Sequence, residues 1–295
     1  MKLKLGRTGR LVLVTTTLCI TLTALVLMEA FVIPKTYVSV EPKPLADTRE
    51  VSASITEYSY NDEKISISIS TIREEDVIYH LVDIRLADIR YFQSAFAKDI
   101  YGKNVVETTS AMALKNQAIL AFNGDLYGSR DSGLIIRNGI LYRDIARKTP
   151  DNRTLLMDDQ GGFSFITEGI FRSDSYHEKG IVHSFSYGPV LVEDGVARSL
   201  NDHDANPVAA RTAIGLIEPL HYILIVVEGN ASESKGMTLD SLARLFVRLK
   251  AVSAYNLSGG GSSTLWFNGR RINQTYGFSL LSDERAISDI FYIGY

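Results

Sequence analysis

Residues 212–227 read TAIGLIEPLHYILIVV, two apolar runs separated by a Glu-Pro turn. β-branched and aromatic residues favour extended backbone, so this stretch predicts two strands, Thr212–Ile217 and Tyr222–Val227, joined by the turn. Just downstream, Thr238–Lys250 carries apolar side chains at helical spacing after a threonine that can cap a helix. A hairpin followed by an amphipathic helix is the local pattern of a domain that combines sheet and helix.

The same strand-and-turn pattern extends over most of the remaining chain. Isoleucines and serines alternate from Ile65 to Ser70, which predicts a strand with one buried face. Asn138-Gly139 separates two short apolar runs and is a strong two-residue hairpin signal. Hairpins are many and helices few. We therefore predict one α+β domain over residues 51–295, built on a mostly antiparallel sheet and preceded by one N-terminal transmembrane helix.

The N-terminal region has the composition of a membrane anchor. Residues 11–33 contain one formal charge, Glu29, and as a helix they would extend about 35 Å, enough to cross a hydrocarbon core of about 30 Å. Four basic residues precede the segment: Lys2, Lys4, Arg7 and Arg10. This charge bias predicts a cytoplasmic tail over 1–10, a signal anchor over 11–33 and a single-pass cell-membrane protein whose domain is extracytoplasmic. A cleaved signal peptide is the alternative, although its apolar region usually spans about 7–15 residues.

Residues 34–50 contain three of the seven prolines and little apolar periodicity, so they predict a semi-extended stalk between the anchor and the domain. The whole chain has 31 basic and 34 acidic residues, and this balance argues against nucleic-acid binding. Its one cysteine, Cys19, excludes an intrachain disulfide and a multi-cysteine zinc site. The five histidines lack metal-ligand spacing, so no metal site is predicted, and the sequence identifies no cofactor.

A glycine triplet is the strongest local signal for a binding site. Residues 256–264 read NLSGGGSST between two strand-like runs. Consecutive glycines allow positive φ and a close approach of backbone N–H groups to a ligand, while the flanking hydroxyls suit an anion or a sugar. A tight turn without a ligand is the alternative. The predicted ligand-binding residues here are Ser258, Gly259, Gly260, Gly261, Ser262 and Ser263.

Two carboxylates and two arginines stand at predicted strand ends. Asn123-Gly124-Asp125 follows one buried strand, and Glu228 follows another. Such carboxylates could divide acid and base roles in a shared cleft, whereas the alternative for Asn-Gly-Asp is a simple turn. Arg211 and Arg285 each precede a strand, and a guanidinium suits phosphate or carboxylate, although a solvated surface role is the alternative for either arginine.

Together these motifs resemble the phosphodiester glycosidase family. The resemblance extends from about residue 110 to 295 and rests on the order of its motifs. The motifs are FNGD at 122–125, FSYGP at 185–189, NP at 206–207, RTAIG at 211–215, VVEG at 226–229, KGMTL at 235–239, YNLSGGGSST at 255–264 and ER at 284–285. Two positions depart from the family pattern. Ser258 stands where the family usually has Asp, and Glu228-Gly229-Asn230 stands where it usually has Asp-Gly-Arg.

The resemblance implies a hydrolase that cleaves a sugar-1-phosphodiester, such as N-acetylglucosamine-1-phosphodiester, in a surface glycan or cell-wall polymer. It implies Asp125 and Glu228 as catalytic carboxylates, with Asn123, Gly124, Arg211, Arg285 and the glycine loop binding the substrate. Because Ser258 lacks a carboxylate, the alternative is a non-catalytic glycan-binding or exopolysaccharide-assembly protein with the same fold. A serine hydrolase using Ser262 or Ser263 is a third hypothesis, without an evident Ser–His–Asp order.

Overall fold

The computed structural model describes residues 7–40, 52–149, 152–170, 176, 178–199, 207–229, 233–275 and 284–295. Within these residues the chain forms three α-helices and 21 strands, and every strand pairing is antiparallel. The predicted α+β class with a mostly antiparallel sheet is therefore confirmed.

The largest sheet has nine strands and contains the hairpin of residues 212–227 at its centre. In spatial order its strands are β15 (Val196–Ala197), β14 (Val190–Glu193), β18 (Ser253–Asn256), β16 (Arg211–Glu218), β17 (His221–Val227), β5 (Val77–Leu86), β4 (Ile65–Glu74), β3 (Ser59–Asn61) and β2 (Ser54–Ile55). All seven residues of β17 are buried, because one face meets a second sheet and the other meets a helix. This double burial explains why β17 is continuously apolar, whereas β4 alternates.

The second sheet has five strands and packs face to face on the first. In spatial order these are β20 (Arg270–Arg271), β19 (Leu265–Phe267), β8 (Leu120–Asn123), β21 (Asp289–Ile293) and β6 (Phe92–Phe96). Phe92 lies at the centre of the interface, with ring centroids 5.6 Å from Tyr222 of β17 and 6.2 Å from Phe122 of β8. Each such fully buried side chain contributes about 1.5–3 kcal/mol of transfer free energy.

Three smaller sheets complete the strands. They consist of β12 (Phe163–Thr167), β11 (Arg153–Asp158) and β13 (Ile181–Phe185); the hairpin of β9 (Gly133–Arg137) and β10 (Ile140–Ile145); and the pair of β1 (Lys35–Ser39) and β7 (Ile100–Lys103). The hairpin turn contains Asn138 and Gly139, both with positive φ, as the sequence predicted.

Two short helices lie on the sheets. Helix α2 (Thr109–Lys115) is capped by Thr108, whose hydroxyl accepts from the Ala111 N–H. Helix α3 (Leu239–Arg248) is capped by Thr238 and buries its apolar face on the outer side of the nine-stranded sheet, opposite the second sheet. The predicted amphipathic helix is thus confirmed, with its first helical residue one position after the predicted cap.

Helix α1 (Arg7–Phe31) is long and apolar enough to cross a membrane over Leu11–Phe31, with a mean hydropathy of 2.4 and none of that window buried in the protein. The region after it differs from the predicted stalk. Lys35–Ser39 is not a free extended spacer, because it forms β1 and pairs with β7 of the domain. The backbone N–H and C=O groups of residues 35–39 hydrogen-bond to a strand about 65 positions away, which the local sequence pattern could not predict. The remaining stalk residues, 41–50, lie outside the described residues.

Candidate active site

Four strand ends meet at one end of the two packed sheets. Because β16 is antiparallel to both β17 and β18, the first residue of β16 lies beside the last residues of its two neighbours. Arg211 therefore pairs with Val227, immediately before Glu228, and Asn256 pairs with Ala213. Strand β8 of the other sheet ends there too, at Asn123. The sheet topology thus gathers most of the predicted site residues at one end of the strands.

Asn123 joins the two sheets and the glycine loop. Its side-chain Nδ2 donates to the Ser258 carbonyl over 2.7 Å, and its Oδ1 accepts from the Thr212 hydroxyl at 2.8 Å and from the Thr264 N–H at 3.2 Å. The side chain is fully buried, so these bonds lie in a low-dielectric interior where they are rigidly maintained. Asn123 is therefore a structural clamp on both ends of the loop, rather than a group presented to a ligand as predicted.

The glycine loop packs tightly on the chain that enters β16. The Gly260 N–H donates to the Ala210 carbonyl over 2.8 Å, and a Cβ at Gly259 would lie 2.8 Å from the same oxygen. Gly260 has a φ of +62° and would meet no atom within 4 Å on its open side. Glycine is thus required at 259 for close approach and favoured at 260 for its backbone conformation.

Buried polar atoms around this loop lack hydrogen-bond partners in the described part of the chain. They are the hydroxyls of Ser262, Ser263 and Thr264 and the Oδ1 of Asn256, all on side chains at most 2% exposed. Unpaired buried polar atoms are costly, so a cluster of four in one loop indicates a place where a polar ligand or ordered water binds. Within the described residues neither the Ser262 nor the Ser263 hydroxyl bonds to a histidine, so the structure does not support the serine-hydrolase hypothesis.

Glu228 presents a carboxylate with one fixed and one free oxygen. Its Oε1 accepts from His80 Nε2 and from the Gln274 N–H, both over 2.9 Å. Among the described residues Oε2 has no hydrogen-bond partner. Burial opposes ionisation, but the two donors outweigh it and hold the pKa of Glu228 below its ordinary value. The carboxylate is therefore ionised near neutral pH, with one oxygen unpaired in the described structure.

Asp125 has a different environment from the one the sequence suggested. Its side chain is fully buried, with Oδ1 3.1 Å from Arg137 Nη2 and Oδ2 accepting from the Ser186 N–H over 2.9 Å. Burial opposes ionisation, but the charges of Arg137 and Arg130 outweigh it and lower the pKa of Asp125. A carboxylate enclosed in this way is a support inside the protein, not a group presented to a cleft.

Arg137 is shared between Asp125 and a second buried carboxylate, Asp289. Its Nη2 lies 2.8 Å from Asp289 Oδ2, and its guanidinium stacks 4.7 Å from the Phe291 ring centroid. Burial raises the pKa of Asp289 to about 6, because the attraction of Arg137 is offset by repulsion from Asp125. One cation thus serves two acids, and Asp289 is the acid that is more easily protonated.

Arg211 is a partly buried cation without a carboxylate partner in the described structure. Its Nε donates to the Met237 carbonyl over 3.1 Å, and its Nη2 donates to the Pro207 carbonyl. Burial lowers the pKa of Arg211 below its ordinary value, yet the group stays charged at neutral pH. Two carbonyl contacts fix the guanidinium without neutralising it, which leaves its charge for an anionic ligand.

The two predicted carboxylates do not contact each other, but both are tied to the glycine loop. Asp125 lies two residues after Asn123, which holds Thr264. Gln274, which donates to Glu228, follows Asn273, and the Asn273 side chain bonds to the Ser263 carbonyl and the Leu265 N–H. The loop therefore lies between two networks, one leading to each acid.

The remaining predicted residues occupy distinct positions. Gly124 is buried against Asp289, where a Cβ would lie 2.2 Å from its Oδ1, so glycine serves packing there. Ser258 is buried, and its carbonyl accepts from Asn123. Gly261 is half-buried in the 3₁₀ turn Gly260–Ser262. Arg285 is exposed, and no hydrogen bond or ion pair joins it to the other predicted site residues within the described structure.

Sequence reasoning did not assign site roles to His80, Arg137 or Asp289. His80 lies within the largely apolar strand β5 and Arg137 ends the apolar strand β9, where an isolated histidine or arginine needs a buried partner. That mismatch was the available signal. It could not identify the partners, since His80 and Glu228 are 148 positions apart and Arg137 and Asp289 are 152 apart.

A cleft of about 620 Å³ is lined in part by Met237, whose carbonyl Arg211 contacts. Its lining includes Glu74, Tyr79, Val208 and Met237, but neither of the predicted carboxylates. Since Arg211 donates to the Met237 carbonyl, the cleft adjoins the site without containing it. In the part of the chain that the structure describes, no group of three or more His, Cys, Asp or Glu residues could hold a metal ion.

Comparison with known proteins identifies related sequences. A family model described as phosphodiester glycosidase matches residues 116–294. The SPbeta prophage-derived uncharacterized protein YomE of Bacillus subtilis is 30% identical over 204 residues, which are 66% of this chain and 31% of that protein. The bovine N-acetylglucosamine-1-phosphodiester alpha-N-acetylglucosaminidase is 38% identical over 64 residues, 22% of this chain and 12% of that protein. The chain thus matches less than a third of the length of either relative.

Two solved structures share the fold. The catalytic domain of the zebrafish N-acetylglucosamine-1-phosphodiester alpha-N-acetylglucosaminidase, auto-inhibited by its pro-peptide, superposes with a TM-score of 0.60 at 20% identity, over 90% of this chain and 89% of that one. A hypothetical protein from Synechocystis gives 0.59 at 12% identity, over 84% and 64%. At these identities the structures establish the fold, and the family model establishes the membership. The chain belongs to the phosphodiester glycosidase family.

Proposed function

We propose that this chain is a membrane-anchored, extracytoplasmic hydrolase that cleaves a sugar-1-phosphodiester linkage in a surface glycan or cell-wall polymer. The observation that carries the proposal is the placement of Glu228. Its ionised carboxylate, with Oε2 free, lies beside the strand that begins at Arg211, an unneutralised cation. The carboxylate matches the positive charge that develops on the sugar when a sugar–phosphate bond breaks, and the cation at the same end of the sheet matches the negative charge on the departing phosphate.

Glu228 supplies the negative partner in this chemistry. Cleavage of the anomeric C–O bond builds oxocarbenium character on the sugar, which a nearby carboxylate stabilises. His80 and the Gln274 N–H keep Glu228 ionised and fix its orientation through Oε1. Oε2 then faces the reacting carbon or positions the attacking water. Because His80 acts through Glu228, it is a positioning residue.

The leaving group is a phosphate monoester, which is already a good anion and needs little help from a general acid. Arg211 supplies a charge for it, held by the carbonyls of Met237 and Pro207. The unpaired hydroxyls of Ser262 and Ser263 add donors on the adjoining loop. Charge-assisted hydrogen bonds of this kind stabilise anions more than neutral ones do.

Asp125 acts as a positioning residue in this proposal. It is fully enclosed by Arg137 and Ser186, so contact with a sugar would require the network to open. Its role is to anchor the end of β8, from which Asn123 clamps the glycine loop. This assignment replaces the expectation that two acids share the chemistry.

The localisation rests on the N-terminal helix. Leu11–Phe31 has the length and composition of a membrane span, and basic residues precede it. A positive flank favours the cytoplasmic side, which would place the domain outside the cytoplasm, where surface glycans and wall polymers are found. Those polymers and the membrane itself are the proposed partners.

The experiment is a panel of α-sugar-1-phosphodiesters incubated with the full chain in detergent, with release of reducing sugar as the readout. We expect turnover of at least one member and a loss of roughly 10²–10⁴-fold in Glu228→Gln. The matched control is Glu233→Gln, an exposed acid near the site. Folded protein that releases no sugar over a broad range of pH and added divalent metals would contradict the proposal.

A non-catalytic glycan-binding role is the second candidate, and Ser258 is the observation that favours it. Its side chain is buried beside the glycine loop at the position where the family pattern has a carboxylate. Under this hypothesis the chain binds the phosphodiester without cleaving it, and Ser258→Asp creates activity. Turnover by the natural chain that Ser258→Asp does not increase would argue for the enzyme.

A further inference from the structure

We propose that α1 and the domain form one rigid unit that holds the candidate site at the bilayer surface, so that the substrate is a sugar-1-phosphodiester carried on a lipid of the same membrane. This inference rests on the proposed function and on α1 spanning the membrane. The inference concerns the distance between the site and the bilayer. The predicted stalk would have left that distance free, because a flexible stalk allows the domain to move away from the membrane.

The connection between the helix and the domain is too short for a stalk. Helix α1 ends at Phe31, and β1 begins at Lys35, so only residues 32–34 intervene. Each extended residue spans at most about 3.6 Å, which limits the gap to roughly 10–14 Å. From Lys35 onward the chain is already hydrogen-bonded to β7 of the domain.

The domain also contacts the helix directly. Nδ2 of Asn104, the residue after β7, lies 3.3 Å from the Ala30 carbonyl and 3.2 Å from the Ile33 carbonyl, and donates to both. Carbonyls at a helix C-terminus lack partners within the helix, so this side chain acts as a cap supplied by the domain. The strand pair is reinforced by Tyr37 and Tyr101, whose ring centroids are 5.7 Å apart. A cap and a strand pair together fix the orientation as well as the distance.

The same strands lead directly to the candidate site. A Cβ at Gly102 would lie 2.2 Å from the Lys35 carbonyl oxygen, and the Asn104 N–H donates to the Gly128 carbonyl over 3.0 Å. Gly128 follows Asp125 by three residues. Two strand spacings of about 4.8 Å and three residues of at most about 3.6 Å each limit the distance from the end of α1 to Asp125 to roughly 20 Å. Asp125 follows the end of β8, where Asn123 holds the glycine loop, so the end of the five-stranded sheet that adjoins the site is also the end that adjoins β7.

This distance selects among the possible substrates. A site roughly 20 Å from the end of a membrane span is within reach of the headgroup of a glycolipid, and its mobility is limited by the fixed strand pair. Exposed apolar side chains next to the helix end suit the interfacial layer: Tyr37 is 53% exposed, Val38 46% and Val106 39%. We therefore assign the lipid-borne linkage as the substrate, in preference to the distal part of a wall polymer.

Distance to the bilayer is measured first, without reference to activity. The full chain with Cys19→Ser receives a single new cysteine, either Val106→Cys or Val196→Cys, and a fluorophore is attached to it. The labelled chain is placed in phosphatidylcholine–phosphatidylglycerol vesicles that contain spin-labelled lipid, which quenches a fluorophore close to the bilayer. Val196 is the control because it lies at the opposite end of the nine-stranded sheet, where Gly195 bonds to Val252. We expect quenching at Val106 to exceed that at Val196 several-fold. Equal quenching at the two positions would overturn the rigid placement.

The helix cap is tested by Asn104→Gly. Asn104 has a φ of +57°, which glycine adopts without strain, so the change removes only the amide. Asn268→Gly is the matched control, since Asn268 has a φ of +43° in an exposed turn. We expect the quenching at position 106 to fall in Asn104→Gly and to stay unchanged in Asn268→Gly. A larger reduction is expected from a twelve-residue Gly/Ser insertion between Ile33 and Pro34, which adds a coil of about 20 Å. Unchanged quenching in the insertion variant would contradict a placement fixed by residues 32–34.

The substrate is tested with one linkage in two forms. N-acetylglucosamine-1-phosphate is esterified either to a dialkylglycerol in the same vesicles or to free glycerol. We expect the natural chain to favour the lipid form at least tenfold and the insertion variant to lose most of that preference while retaining turnover of the soluble form. Equal turnover of the two forms by the natural chain would overturn the lipid assignment. If neither form is hydrolysed, both the proposed function and the lipid substrate fail, while the quenching result still decides the placement.

Discussion

His80 Nε2 donates to Glu228 Oε1 over 2.9 Å, and both side chains are at most 5% exposed. A carboxylate only accepts, so the proton on Nε2 is fixed by this contact, and Nδ1 faces the Thr71 hydroxyl at 3.0 Å. Thr71 is exposed on β4, which connects the buried pair to solvent. The acid that we place at the reaction centre is therefore oriented by a histidine on β5, the strand directly next to β17 in the sheet.

This contact predicts the acidic limit of activity. Because the folded-state pKa of Glu228 is depressed, the ionised form persists below the ordinary value of 4.5 and is lost as pH falls through the lower folded value. In His80→Phe one of the two donors is gone and only the Gln274 N–H still opposes the effect of burial, so the acidic limb of the kcat/KM profile shifts to higher pH. His80→Gln retains a donor and is the control. If the acidic limb of the kcat/KM–pH profile does not shift in His80→Phe, ionisation of Glu228 does not set that limb.

Arg211 is expected to govern affinity for the phosphate. Arg211→Gln should lower kcat/KM by roughly 10–100-fold, because a hydrogen bond to a charged group contributes about 1.5–3 kcal/mol. Competitive inhibition by inorganic phosphate should disappear in Arg211→Gln and persist in Arg211→Lys. Arg270→Gln, which removes an exposed cation that contacts Glu57 and the Tyr58 ring, is the control. Phosphate inhibition that survives in Arg211→Gln would exclude Arg211 from the anion site.

Asp289 is expected to make stability depend on pH. Its folded pKa of about 6 lies above the ordinary 3.8, so its contribution is fully present below about pH 3.8 and is lost as pH rises through about 6. Asp289→Asn removes this dependence. The free energy of unfolding of the variant, minus that of the natural chain, should therefore rise by roughly 1–3 kcal/mol as the pH is raised from about 4 to about 7. Denaturant unfolding in detergent measures both values. A difference that stays constant over this range would contradict the assignment. Asp194→Asn, in an exposed turn, is the control.

Gly229 is expected to hold Glu228 and Arg211 in position. A Cβ at Gly229 would lie 2.3 Å from the Ala210 backbone nitrogen, and backbone does not yield as a flexible side chain would. Gly229→Ala should therefore cost about 1–3 kcal/mol of stability and most of the activity. Gly139→Ala, in an open turn with a φ of +80°, should cost stability alone. Full activity in Gly229→Ala would mean that this packing does not position the site.

The strands of residues 212–227 and helix α3 were predictable because their signals are local. Apolar runs, a turn and a helical repeat each lie within a dozen positions, and the structure reproduces them as Arg211–Glu218, His221–Val227 and Leu239–Arg248. The roles of Asp125 and Glu228 were not predictable in this way. Both stand at the end of a buried strand, and only their distant partners, Arg137 and His80, distinguish an enclosed acid from one with a free oxygen.

The sequence by itself determined the apolar N-terminal helix, the antiparallel architecture and the glycine loop, because these depend on composition and on neighbours along the chain. Only the tertiary structure decided that residues 35–39 pair with β7, that Arg137 is shared by two acids, and that Glu228 keeps one oxygen free. These features depend on contacts between segments as many as 152 positions apart, which no local pattern encodes.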